Sequence, residues 1–268
     1  MKKTLFVIPR AGLCNRMLAI SGAVELARRY HMRVVVLWVR DSMLNAKFSD
    51  LFEPLPFKVL EFTDEQSLAF KFCYKAIQSL HPVFLISNIE FNNRLYINPE
   101  YFDRLKDHHG VLDTYYDVAL DEDFSMFRMN RRLQPLLYPK SELQNACGVH
   151  LRRTDHKRAI KRSPTSLFIE KMEEDICRDP SVKFYLATDD PEEEAYFKER
   201  FGDRIMTYSK RSLDRNTKTG MEDAVLDLVN LSHCKRLYAS YGSTFSRTAA
   251  KWGGIDYTVL EIDELTNQ

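Results

Sequence analysis

The sequence predicts an α/β protein made of two successive halves, each a parallel sheet crossed by helices. Three observations carry this. Short β-branched apolar runs alternate with longer amphipathic ones along most of the chain, the pattern of strands joined by helical crossovers. Several short runs are apolar on both faces, as burial between two helical layers requires. The alternation fails between about residues 90 and 140, a polar and aromatic stretch with Pro99, Pro135 and Pro139, and resumes at Cys147. A boundary near residue 140 follows, dividing the chain into residues 1–140 and 141–268.

In the first half the strand candidates are TLFVI (4–8), VVVLWV (34–39), KVLEF (58–62) and VFLIS (83–87). In the second they are CGVHL (147–151), KFYLA (183–187), RIMTY (204–208), RLYAS (236–240) and YTVLE (257–261). Helical spacing of apolar residues marks 15–31, where Met17, Ile20, Val24 and Ala27 share a face, and then 164–177, 191–201, 221–234 and 243–252. Ser163-Pro164 and Asp190-Pro191 are helix starts with proline at the first helical position.

Composition bounds the function. Lys and Arg (39) balance Asp and Glu (38) over 268 residues, so no global field draws nucleic acid, and a polyanion site must come from local clustering. An RNA-binding reading of the basic stretch 150–162 is disfavoured because aromatics do not interleave with its charges. The five cysteines, Cys14, Cys73, Cys147, Cys177 and Cys234, are dispersed and odd in number, which points to a reducing, cytoplasmic setting. The apolar run TLFVI ends at Pro9, too short for a signal-peptide core, and no stretch reaches the roughly 20 apolar residues of a membrane span. A membrane-borne substrate would be met from outside, peripherally.

In open α/β sheets ligands bind at the carboxyl ends of strands, so the strand-to-helix turns hold the candidates. The first is IPRAGLCNRMLAIS (8–21): Gly12 allows a tight turn or a close ligand approach, Asn15 is placed to cap the helix, and Arg16 lies in its first turn. It is not a G-x-G-x-x-G motif, so dinucleotide binding is unsupported. The second is GVHLRRTDHKR (148–158). Arginine in a first helical turn opposes the macrodipole and adjacent arginines repel, so Arg152 and Arg153 suit an anionic partner, against the alternative of a solvated charge run. Strand alternation puts His150 and Arg152 on one face.

FYLATDDPEEE (184–194) ends a strand at Asp189 and Asp190, either helix caps or ligand contacts. Asp223 and Asp227 lie one turn apart, and Asp227 interrupts an apolar helical series. If buried it needs a donor, such as the amino and imino groups of a base. Gly242, Ser243, Thr244 and Ser246 form a hydroxylated turn opening a helix, suited to phosphate. Asp121-Glu122-Asp123 has the D-x-D form of metal-dependent sugar-nucleotide sites but stands outside the strand pattern, and no metal is expected. The basic loop 209–220 reads as mobile surface able to fold over a ligand.

In this order GLCNR, HLRRTD, FYLATDD and LDLVNLSHCKRLYASYGSTFS resemble the fucosyltransferase superfamily of α1,6-fucosyltransferases, nodulation fucosyltransferases and protein O-fucosyltransferases. The resemblance covers most of the chain. It implies two Rossmann-like domains facing a cleft, the GT-B type, and metal-free inverting transfer from GDP-fucose to a glycan or glycoconjugate acceptor, with no cofactor beyond the donor. The nucleotide would sit on the C-terminal half and the acceptor side on the N-terminal half. Arg152 would hold the β-phosphate. His150 and Asp227 would meet the nucleoside, and Ser243, Thr244, Phe245 and Ser246 would cradle phosphate. Arg153, Asp155, Asp189 and Asp190 come with the same motifs, while Gly12, Asn15 and Arg16 would reach the sugar and leaving group from the first domain. The sequence departs from the α1,6 enzymes in having HKRAIKR (156–162) where they carry a glutamate that serves as base. A non-catalytic nucleotide- or glycan-binding protein on the same fold is the alternative.

Overall fold

In the computed structural model the described residues are 2–80, 82–87, 99–115, 122–154 and 157–262. Asp121, Asp155 and His156 lie outside them. The chain divides into two compact units, Met1–Arg131 with Asp214–Glu222, and Arg132–Leu213 with Asp223–Gln268. Each carries one five-stranded parallel sheet.

The first unit runs β1 (Thr4–Pro9), α1 (Leu13–Arg29), β2 (Arg33–Val39), α2 (Phe48–Leu51), β3 (Lys58–Phe62), α3 (Leu68–Gln78), β4 (Val83–Ser87) and β5 (His109–Thr114). The strand order is β3-β2-β1-β5-β4. β1 is central and buried, pairing in parallel with β2 through Leu5↔Val34 and with β5 through Leu5↔Gly110. Ile8, Leu37, Val39 and Val111 pack under Phe70 and Ile77 of α3, and each large apolar side chain so buried contributes about 1.5–3 kcal/mol. β5 corrects the sequence reading, which placed no strand between 90 and 140. His109, Gly110 and Asp113 break its apolar run, yet it lies beside β1. The helix read as beginning at Asn15 begins at Leu13, with Gly12 as its N-cap.

The second unit runs α4 (Lys140–Leu143), β6 (Ala146–Leu151), α5 (Lys157–Arg162), α6 (Thr165–Arg178), β7 (Lys183–Thr188), α7 (Pro191–Phe201), β8 (Ile205–Met206), α8 (Lys218–Ser232, whose residues up to Glu222 count with the first unit), β9 (Arg236–Ala239), α9 (Thr244–Gly253) and β10 (Tyr257–Val259). Its order is β10-β9-β6-β7-β8. All six residues of β6 are buried, so the expected in-out alternation of this strand is absent. Val149 and Leu151 join Phe168, Met172, Phe184, Leu186 and Phe197 in the core. The chain leaves β6 toward β7 and β8, then crosses back to β9 on the other side. The carboxyl end of β6 is therefore the topological switch point, where loops on either side diverge and leave a crevice.

Two helix starts behave differently. Asp190 caps α7, accepting from the Glu192 N–H at 2.8 Å, with Pro191 in the first turn. Pro164 rather than Ser163 stands at the N-cap of α6, and the buried Ser163 hydroxyl accepts the Tyr241 N–H at 2.8 Å instead.

Candidate functional site

The switch point of the second unit brings several candidates together. His150, the penultimate residue of β6, is buried, and its backbone carbonyl accepts the Ser240 N–H at 3.2 Å. Its Nδ1 lies 2.7 Å from the Ser246 hydroxyl and 3.3 Å from that of Ser243. The ring stacks on Phe245 at 4.9 Å between centroids. Burial, with the positive charges of Arg152, Lys210 and Arg153 against the pull of Asp189, pushes the imidazole down to about 3. It is therefore neutral at physiological pH. Ser243 caps α9, accepting the Ser246 N–H at 3.3 Å, and Gly242 before it has φ 63°, a left-handed turn suited to glycine. Thr244 is exposed at the first turn of α9.

The two adjacent arginines part company. Arg152 is half-buried just past the end of β6, its backbone N–H held by the Ser240 hydroxyl at 3.1 Å. The Arg153 side chain is only 6% exposed. Its Nε donates to Glu193 at 3.1 Å, Nη1 to the Arg152 carbonyl at 3.2 Å and Nη2 to Thr165 at 3.2 Å, with Phe168 beneath the guanidinium. Arg153 is thus a structural clasp that fixes the backbone of Arg152. Asp189 works with it: its carboxylate accepts the Arg153 N–H at 2.7 Å and the Thr154 hydroxyl at 2.8 Å. Burial raises its pKa, but these hydrogen bonds outweigh burial and hold the group below the usual carboxylate range.

Other expected ligand contacts are occupied by the chain itself. Asp190 is a helix cap. Asp227 is buried, with Oδ1 accepting from the Tyr185 hydroxyl at 2.7 Å and Oδ2 lying 3.4 Å from Lys210 Nζ. Burial pushes it up to about 6 against the pull of Lys210 and Tyr185. Donors from the chain itself thus meet both carboxylate oxygens. The loop from residue 209, read as mobile, is pinned at its start: Asp223, 1% exposed, accepts from Arg211 N, Nε and Nη2 and from Ser212 N at 2.5–3.0 Å.

In the first unit the loop after β1 is equally fixed. Arg10 binds Asp113 of β5 at 2.6 and 2.8 Å. The left-handed residue is Ala11, φ 63°, not Gly12, and it costs about 1–2 kcal/mol for a residue with a Cβ. A Cβ built on Gly12, φ −72°, would meet nothing within 4 Å. Asn15 sits half-buried in the first turn of α1 without capping it. Arg16 is fully buried, donating to the carbonyls of Ala11 (2.8 Å) and Val39 (2.5 Å) and to Asp41 (2.7 Å), over the Trp38 ring. Burial lowers it to about 10, so it stays charged. With its guanidinium so engaged, Arg16 holds its own loop in this structure.

Ser240, Thr165, Glu193 and Lys210 were not singled out from sequence. Only Ser240, in the small hydroxylated run after β9, carries a local signal. Among the described residues no three His, Cys, Asp or Glu side chains gather as a metal site, and no helix is long and apolar enough to cross a membrane.

No protein-family model matches the chain, and no curated protein matches it in sequence. Solved structures do. NodZ α1,6-fucosyltransferase, known from Bradyrhizobium and here soaked with GDP-fucose, matches at 18% identity, 94% of this chain, 93% of its own and a TM-score of 0.60. What the two chains share is the fold. A mutant of Arabidopsis thaliana FUT1 in complex with GDP matches at 14% identity over 96% of this chain and 70% of its own, TM-score 0.61. POFUT1 in complex with GDP matches at 11% identity over 96% and 98%, TM-score 0.53. At these identities the likeness is one of fold, and the two parallel five-stranded sheets are consistent with a two-domain GT-B-like fold.

Proposed function

We propose that the protein is an inverting glycosyltransferase that moves fucose from GDP-fucose to a glycan or glycoconjugate acceptor. The second unit would hold the nucleotide and the first the acceptor side, without a metal. The observation that carries the reading is the cluster at the carboxyl end of β6: neutral His150 stacked on Phe245, the Ser243 and Ser246 hydroxyls opening α9, and Arg152 just past the strand. This combines a flat aromatic platform, a helix start rich in N–H and hydroxyl donors, and a guanidinium, as a nucleoside diphosphate demands.

In the reaction the bond from the sugar's anomeric carbon to the β-phosphate oxygen breaks, and its electron pair stays on that oxygen. A new bond forms from the acceptor oxygen on the opposite face of the sugar. Arg152, its backbone fixed by Ser240, Arg153 and Asp189, would face the charge that develops and so stabilise the transition state more than the bound donor. The dispersed cysteines support a cytoplasmic setting, with peripheral access to any membrane-borne acceptor. A second reading, a protein that binds the nucleotide or a glycan without turnover, is favoured by HKRAIKR in place of the glutamate-bearing segment of the α1,6 enzymes.

Thermal shift across GDP, UDP, CMP and ADP tests the donor class, because a ligand that binds only the native state raises the melting temperature. GDP preference is expected, together with GDP release from GDP-fucose that a mixture of acceptor glycans accelerates. Preference for UDP or CMP would overturn the donor assignment. GDP binding without release would leave the binding-protein reading.

A further inference from the structure

We propose that Arg16 and Asp41 form a positioning clasp that holds the loop after β1 in the shape needed for turnover, an inference that rests on the fucosyl-transfer reading. The first unit has its own switch point at the carboxyl end of β1, since β2 and β5 lie on opposite sides of it. The loop leaving that point is Arg10-Ala11-Gly12. Arg10 ties one end to Asp113 of β5. Ala11 is left-handed, a conformation an alanine keeps only when its surroundings hold it there. Arg16 does so through its Nε bond to the Ala11 carbonyl, while its two terminal nitrogens grip Val39, the last residue of β2, and Asp41 beyond it.

One planar fork thus joins the loop to the neighbouring strand. Stability alone is a poor reason for it, because burying a charged guanidinium costs desolvation that an apolar residue would avoid. What the clasp supplies is a fixed loop at a strand's carboxyl end, with open space beyond Gly12 and Asn15 half-exposed one turn on. Arg16 touches no reacting atom in this scheme. It acts through the loop, and Asp41 acts through Arg16.

Asp41→Asn tests this with least risk to folding. The Asp41 side chain is 36% exposed, and asparagine keeps the Oδ1 acceptor that holds the Met43 and Leu44 N–H groups. Arg16→Lys, which keeps charge but loses the fork, is the second variant. Three quantities are read in each: GDP affinity, kcat and KM for GDP release from GDP-fucose, and amide hydrogen exchange.

The expected result is faster exchange confined to residues 11–15 and a fall in kcat of about 10- to 100-fold, with GDP affinity within about twofold of wild type. Wild-type exchange in the loop, wild-type kcat despite a loosened loop, or a fall in kcat no larger than the unfolded fraction would overturn the clasp. A wild-type protein that neither binds GDP nor releases it from GDP-fucose would instead sink the reading of the function, and the clasp's role with it.

Discussion

His150 Nδ1 and the Ser246 hydroxyl meet at 2.7 Å inside the second unit, joining the end of β6 to the first turn of α9. The surroundings keep the ring neutral: burial first, then three cations against Asp189.

This has a pH consequence with a sign. Between about 3 and 6.5 the unfolded chain binds a proton at His150 that the native protein does not, so this group destabilises the fold as pH falls through that window. Asp227, raised to about 6, works oppositely: between about 4 and 6 the native protein holds a proton that the unfolded chain has released. Asp227→Asn removes the second effect alone. The stability advantage of wild type over Asp227→Asn should therefore grow by ~1.4 kcal/mol per pH unit from about pH 6 down to about pH 4. Urea unfolding at pH 4, 5 and 6 reads it, and parallel curves for the two proteins would contradict the assignment.

Arg152→Lys should lower kcat for transfer by about 30- to 1,000-fold, equivalent to about 2–4 kcal/mol of transition-state stabilisation. Lysine keeps the charge but replaces a fork of two oriented donors by one mobile contact. Activity should persist in EDTA. Abolition by EDTA with recovery in Mn²⁺ would transfer the phosphate role to a metal and direct attention to Asp121 and Asp123.

Asp223→Ala should destabilise the protein by about 1–3 kcal/mol, because two backbone N–H groups and the part-exposed Arg211 guanidinium lose the one buried carboxylate on which they converge. Limited trypsin digestion should then cut at Lys210 or Arg211 before other sites. Resistance equal to wild type would mean that the loop is held by something else.

Asp190→Ala should cost about 1 kcal/mol through loss of the α7 cap and leave GDP affinity unchanged. A drop in GDP affinity without a drop in stability would restore Asp190 to the ligand.

Local signals made much of this protein legible before any fold was known. Among the described residues nine of the ten strands announce themselves as apolar runs, and Asp190-Pro191 and Ser243 mark helix starts by residue type alone. Strand ends also mark the turns where candidate side chains gather, because a parallel sheet presents its loops at one edge. β5 escaped because His109, Gly110 and Asp113 deny it an apolar pattern, and only its place beside β1 makes it a strand.

What no local pattern separates is Arg152 from Arg153. They are neighbours of one residue type, and the difference between them lies in Glu193, 40 residues on, and Thr165, 12 residues on, which close around one guanidinium and leave the other half-exposed. Arg16 is the same case, held by Val39 at the end of β2 and by Asp41 beyond it, which the sequence does not tie to it. Asp227 likewise meets Tyr185 from β7 and Lys210 from the loop after β8. Periodicity and turn chemistry are short-range and so determine elements and their edges. The fate of a buried charge depends on partners that only chain topology brings within hydrogen-bonding distance, and that was decided in three dimensions.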